Sequence, residues 1–171
     1  MAIYKLTNKP NGFASINFGD LDMSKILATG DIKQLNGREF HWTKDADNSK
    51  ISDCPFFIGA LPIFKSSKVA SVIDKLNVNK ALFSVDGESY TAIAAPLFKG
   101  KAINREKSTM RAFKSGKIMT VEKYVFNKGI AFPSAFRLEE FNLFTFVDQE
   151  SYLLLKSCNL SEFVAEPCQL A

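Results

Sequence analysis

Apolar and polar positions are spread unevenly along this chain, and the texture changes near residue 53. Up to Ser52, short apolar pieces such as Phe40 to Trp42 are separated by the turn signals Asn8-Lys9-Pro10-Asn11-Gly12, Phe18-Gly19-Asp20 and Asn36-Gly37. That pattern predicts small strands and turns. Lys44 to Asp53 alternates charge with Asp, Asn and Ser and reads as an exposed connection. From Cys54 onward, Phe56, Phe57, Ile58, Ala60, Leu61, Ile63 and Phe64 form an apolar run punctuated by Pro55, Gly59 and Pro62, which predicts a buried segment. Ser66 or Ser67 can cap a following helix, because a short hydroxyl accepts from the unpaired N–H groups of a first turn. Val69, Val72, Ile73 and Leu76 recur at i, i+3, i+4 and i+7, which predicts a three-turn helix with one apolar stripe.

Ala81 to Val85, Asp86-Gly87 and Glu88 to Ala95 read as a hairpin, since Asp-Gly supplies the positive φ angles of a tight two-residue turn. Ile118 to Phe126 alternates apolar with polar, more strand than helix, and its phase slips once. Asn127-Lys128-Gly129 turns the chain. Phe136 to Val147 reads as one or two buried strands, and Asp148 can cap a short helix from Gln149 to about Cys158. No repeat, low-complexity tract or linker divides the sequence. The order predicts an α+β fold: a single domain over 1–171 with a largely antiparallel sheet and a few short packed helices.

Charge changes the picture more than composition does. Between Lys99 and Lys128 stand nine Lys/Arg against two carboxylates, whereas Gly129 to Ala171 carries two against six. The net charge of +4 therefore comes from one stripe, and the stripe is a candidate binding surface. At 171 residues the chain suits one compact unit, and 46% hydrophobic content with sixteen Phe is too apolar for a disordered chain. Three Cys, Cys54, Cys158 and Cys168, form neither a disulfide framework nor a C-x-x-C signature and fit a reducing compartment. The start lacks the apolar core of a signal peptide, and no run of eighteen apolar residues is present, so the expectation is a cytoplasmic protein.

Residue types that catalyse are nearly absent as constellations. His41, the only histidine, has Asp45 and Asp47 nearby in sequence but no nucleophile motif with it, and beside Trp42 it reads as a structural or surface residue. Asp45-x-Asp47-Asn48-Ser49 resembles the start of a calcium loop, but Lys50 and Phe56 stand where that loop needs Gly and Glu. Asp20-x-Asp22 reads as a solvated loop. The basic belt has three readings, namely nucleic-acid phosphates, an anionic membrane face, or an acidic protein surface. A solvated lysine-rich edge that discourages sheet aggregation stands beside them. Phe98, Phe113, Tyr124 and Phe126 interleave with the belt as stacking on a single strand requires, and suit equally the inward face of a strand. Gly100, Gly116 and Pro96 argue against a long membrane-binding helix.

The ordered blocks from Cys54 onward resemble the immunity protein eleven family of bacterial polymorphic toxin systems, once catalogued as a domain of unknown function. The matching pieces are the Phe56 to Phe64 stretch running into Val69 to Leu76, Asn104-Arg105-Glu106-Lys107-Ser108, Ile118 to Phe126, Ala135-Phe136-Arg137-Leu138, and the final helix leading to Leu160 to Pro167. The resemblance covers about two thirds of the chain, with 53–168 as the family-like part and 1–52 as a variable part. It implies no catalysis; the single histidine excludes His/His and His/Cys metal sets by count, and no metal or cofactor is expected. The resemblance implies instead a cytoplasmic protein that binds a cognate toxin domain and occludes its active site or substrate approach, with no membrane partner. The candidate contacts are Lys99, Lys101, Arg105, Lys107, Arg111, Lys114 and Lys117 of the belt, with Trp42 from the variable part, where Phe40 and His41 also stand. A nuclease toxin presents a basic face, so a basic inhibitor is mismatched to it. Either the side bearing Glu139, Glu140, Glu150, Glu162 and Glu166 faces the toxin, or the toxin has an acidic cleft, as a nucleotide- or NAD-consuming enzyme with catalytic carboxylates would. The alternative is a nucleic-acid-binding accessory module using the same 99–128 stripe.

Overall fold

The computed structural model describes residues 1–9 and 11–171; Pro10, part of the first turn signal, lies outside the described residues. Strands occupy 39% of the chain and helices 15%, so the α+β fold is weighted toward β. The first third holds β1 (Ile3–Asn8), β2 (Ser15–Asn17), helix α1 (Met23–Thr29), a 3-10 turn at Ile32–Leu35 and β3 (Glu39–Thr43). The middle holds β4 (Ile63–Lys65), α2 (Ser66–Val69), a 3-10 turn at Ile73–Lys75, β5 (Asn79–Val85), β6 (Glu88–Ala94) and β7 (Leu97–Phe98). The remainder is β8 (Thr109–Ala112), β9 (Ile118–Lys123), β10 (Val125–Phe126), β11 (Ala135–Leu138), β12 (Thr145–Asp148), α3 (Gln149–Lys156) and β13 (Phe163–Leu170).

Among the described residues these strands form a six-stranded sheet ordered β10-β13-β1-β12-β11-β7, a five-stranded sheet ordered β2-β3-β5-β6-β4, and the separate pair β8-β9. Most pairings are antiparallel; β3 with β5, β7 with β11 and β10 with β13 are parallel. The N-terminal strand β1 sits inside the larger sheet, with Tyr4 opposite both Val147 and Pro167. The two sheets enclose a shared core in which Leu6, Ala135 and Val147 meet Phe64, Ile93 and Leu155. The outer face of the five-stranded sheet is covered by Met23, Ile26, Ile32 and Leu35 from α1 and the turn after it. The outer face of the six-stranded sheet, with Ile3, Phe136 and Phe146, is covered by Ile103, Ile118, Val121 and Phe132. Central strands are therefore wet on neither face, which is why β11 reads as an unbroken buried run rather than an alternation.

The Asp-Gly hairpin forms as expected, with Asp86 at φ +47° and Gly87 at φ +84° and full pairing from Asn79↔Ala94 to Val85↔Glu88. Asp148 caps α3 by accepting the Ser151 N–H at 2.8 Å. Three expectations fail, the last of them in the polar first third. The stretch Val69 to Leu76 is not a three-turn helix: α2 is a single turn, then Val72 leaves helical geometry at φ −120° and the chain tightens to a 3-10 turn. All four apolar residues are nevertheless buried, because one turn of each kind delivers them to the same core. Ser66 does not cap. It is the first helical residue, and its hydroxyl is held by Thr91 Oγ1 at 2.8 Å and by the Ser89 hydroxyl at 3.0 Å, leaving the helix start without a side-chain acceptor.

The polar first third holds a helix where only strands and turns were expected. The Asp22 carboxylate accepts the Lys25 N–H at 3.0 Å, and Gly30 closes the other end at φ +70°, donating to the Ile26 carbonyl at 2.8 Å. Arg137, on β11 and 2% exposed, fastens that end to the sheet. It donates to the Leu27 carbonyl at 2.6 Å, the Ala95 carbonyl at 2.9 Å and Asn142 Oδ1 at 3.2 Å, so a cation meets one carbonyl near the C-terminal end of α1. No helix among the described residues is long and apolar enough to cross a membrane.

Candidate functional site

The basic belt folds around the β8–β9 hairpin. Arg111 pairs with Thr120 and Met110 with Val121, while Glu122 is skipped, so that Thr109 opposes Lys123. A second shift places Ala112 opposite Ile118 and skips Met119, so the ribbon breaks phase twice where the sequence pattern reads as slipping once. Ile118, Val121 and Tyr124 turn inward and are buried, with Met110 packed beside them. The opposite side is left to solvent: Arg111, Lys114, Lys117 and Lys123 are exposed, with Phe113 51% and Met119 48% exposed among them. The tip is closed by the Gly116 N–H on the Phe113 carbonyl at 2.8 Å, with Gly116 at φ +82°, and by the Phe113 N–H on the Lys117 carbonyl at 2.9 Å.

Arg105 differs from its neighbours. One guanidinium nitrogen donates to the Gly116 carbonyl at 2.8 Å and another lies 3.7 Å from Glu140 Oε2, so this side chain braces the hairpin tip against the sheet. Glu140 in turn accepts the Ala102 and Ile103 N–H groups, each at 2.9 Å. Lys101, Asn104, Arg105 and Asn127 line one open groove of about 340 Å³ at the hairpin base. Among the described residues Lys99, Lys101, Lys107, Arg111, Lys114 and Lys117 have no ion-pair partner. Lys99 directly follows the edge strand β7.

The remaining candidates fall elsewhere. Trp42 is half-buried on β3, edge-on to Tyr90 with ring centroids 5.6 Å apart, and packs on the core of the five-stranded sheet. The hairpin packs on the far core of the other sheet, so the structure does not gather Trp42 with the belt. His41 is exposed, its Nδ1 2.6 Å from Asp86 Oδ1. That hydrogen bond, with one from the Trp42 N–H, holds the Asp86 carboxyl below its ordinary range. Asp45 does not meet His41; it accepts the Asp47 and Asn48 N–H groups of its own turn at 2.9 and 2.8 Å.

Of the four interleaved aromatics only Phe113 is open to a partner. Tyr124 and Phe126 are buried and Phe98 is half-buried against Phe132, with centroids 5.1 Å apart. The acidic set is likewise dispersed. Glu140 serves the Ala102 turn, Glu162 faces Asp53, and Glu166 pairs with the buried Lys5 at 2.5 Å, which also lies 4.7 Å from the Phe144 ring centroid. Met119 escaped the sequence reading, although the inward placement of Ile118 carried its signal, since the next strand residue must point outward. A polar concavity of about 230 Å³ lined by Ser52, Asp53, Lys68, Tyr90 and Glu162 had no local signal at all, because Asp53 and Glu162 are 109 residues apart. Burial chiefly, with Asp53 beside it, raises the Glu162 carboxyl above its ordinary value. No protein-family model matches this chain, and no curated protein matches it in sequence.

Proposed function

We propose that this chain is a non-catalytic inhibitor of the immunity kind, docking the β8–β9 hairpin on an acidic surface of a toxin domain and thereby blocking its active site. The reading is carried by one observation: a two-stranded ribbon, paired with no other strand among the described residues, presents unneutralised cations around an exposed Phe and an exposed Met. Cations on a solvated protrusion steer encounter with an opposite field, and an exposed aromatic at their centre supplies the anchor that charge alone lacks. Glu140, Glu162 and Glu166 are engaged within the chain, which leaves Glu139 and Glu150 of the acidic set exposed and unpaired among the described residues against the six unpaired belt cations named above; that imbalance favours a partner with an acidic cleft over one with a basic face. A toxin that uses catalytic carboxylates on a nucleotide or NAD fits that requirement, and the cytoplasm is where such a partner would be met.

Co-expression with the toxin-like product of a neighbouring reading frame tests the proposal. Growth rescue together with co-purification of a complex is the expected result; growth arrest despite abundant folded chain would refute it. The nucleic-acid reading predicts a different behaviour, since phosphate contacts give retention that falls steeply with salt. With one aromatic exposed rather than four, no retention of single-stranded nucleic acid at physiological salt is expected.

A further inference from the structure

We propose that Asp53, Cys54 and Glu162 form a binding site for a thiophilic divalent cation of the zinc class. One ligand atom from each lies within 4.8 Å of the others. The Asp53 side chain is only 10% exposed, and its two oxygens are unequally served. Oδ2 accepts the Ser161 N–H at 2.8 Å and has Lys68 Nζ at 3.5 Å, whereas Oδ1 is buried with no hydrogen-bond partner. A buried carboxylate oxygen without a donor is costly, and either a proton shared with the neighbouring Glu162 carboxyl or a cation in its place removes that cost.

The donor set selects the cation. Cys54 is fully buried, and its thiol together with two carboxylates makes a mixed sulfur and oxygen site. Mg²⁺ and Ca²⁺ are hard ions that take oxygen ligands, whereas Zn²⁺ accepts cysteine sulfur and carboxylate oxygen in one tetrahedron. Asp53 and Glu162 border the 230 Å³ concavity while Cys54 lies behind them, so a water from that concavity would complete the tetrahedron. Binding forms a Zn–S bond and releases the Cys54 thiol proton to solvent. Ser52 supports the ligands: its hydroxyl donates to Glu162 Oε2 at 3.4 Å and accepts the Cys54 N–H at 3.0 Å.

The site joins three distant segments. Asp53 and Cys54 precede β4, Glu162 precedes β13, and the Glu162 carbonyl accepts the Lys9 N–H just after β1 at 2.9 Å. A cation there clamps the loop before β4 to the central strands of the six-stranded sheet. Lys68 competes with it, but this side chain is 39% exposed and has only the Asn159 carbonyl, at 3.3 Å, as its other hold.

Equilibrium dialysis of the tag-free full chain against ZnCl₂, with CoCl₂ as the spectroscopic probe, tests the site. The expected result is one Zn²⁺ per chain and a thiolate-to-cobalt charge-transfer band in the near ultraviolet. Cys54→Ser should abolish the band. Glu162→Gln, at a position that leaves the core intact, should weaken Zn²⁺ binding by at least about tenfold with an unchanged near-ultraviolet circular dichroism spectrum. Lys68→Met should bind at least as tightly as the parent, and Cys168→Ser should change nothing. Absence of stoichiometric uptake, a band that survives Cys54→Ser, unchanged affinity in Glu162→Gln, or weaker binding in Lys68→Met would overturn the proposal.

Discussion

Replacing Tyr124 with Phe removes one hydroxyl at the base of the hairpin and leaves the ring in place. The ring stands edge-on to Phe146 with centroids 5.0 Å apart and to Phe144 at 6.2 Å, and Lys5 Nζ lies 5.5 Å from its centre. None of these contacts uses the oxygen. The hydroxyl itself is buried with no hydrogen-bond partner, and burial pushes its ionisation well above the ordinary phenol value. An unsatisfied buried polar group costs about 1–3 kcal/mol. With part of that gain offset by the small void the hydroxyl leaves, Tyr124→Phe should stabilise the fold by about 1 kcal/mol, or about 2–4 °C in Tm for a chain of this size. Urea unfolding should show a higher midpoint at unchanged slope, because the surface exposed on unfolding is the same. A lower midpoint would show that the hydroxyl is satisfied in solution and that this corner is packed differently.

The fastening of α1 gives a second test. A Cβ at Gly30 would lie 2.7 Å from Arg137 Nη2, and the position has φ +70°, so Gly30→Ala should cost about 2–3 kcal/mol from left-handed strain plus displacement of the guanidinium. In an Arg137→Met background the same change should cost about 1 kcal/mol less, and equal costs in the two backgrounds would mean that the residues do not press on each other. Alkaline stability provides a third. Burial chiefly raises the Cys168 thiol from 9.0 to about 12. Between those values the unfolded chain has lost this proton and the folded chain keeps it, so the contribution is full below pH 9 and is lost as the pH rises toward 12. Cys168→Ser should flatten the fall of the urea midpoint across that window; an identical fall would place the effect elsewhere.

Local chemistry made several elements legible in advance. The Asp86-Gly87 hairpin and the Asp148 cap announce themselves because one or two residues enforce the geometry. The same logic hid α1, since Asp22 looks alike as a helix cap and as a member of a solvated Asp20-x-Asp22 loop, and only the burial of Met23 and Ile26 decides between them. The apolar spacing from Val69 to Leu76 identified the buried face correctly and the backbone wrongly. Tertiary packing accepts a broken helix as readily as a regular one when no cap defends it, and Ser66 had been drawn into a hydroxyl chain with Ser89 and Thr91 on β6. Pairings between ends of the chain, such as Lys5 with Glu166, carry no sequence signal. The belt was legible as charge, but its division was not. That Arg105 is a brace, while Arg111, Lys114 and Lys117 stay unpaired, depends on where Gly116 and Glu140 lie in space.

That division supplies the most direct test of the proposed role. The association rate between this chain and the toxin domain whose growth arrest it relieves should be measured by stopped flow across a salt series. The variants compared are the parent chain and Arg111→Glu/Lys114→Glu/Lys117→Glu, which reverses three unpaired cations and leaves the Arg105 brace intact. Steered association predicts that the triple variant associates at least about tenfold more slowly at low salt, with the difference shrinking as salt rises. Equal association rates at every salt concentration would contradict docking through the hairpin.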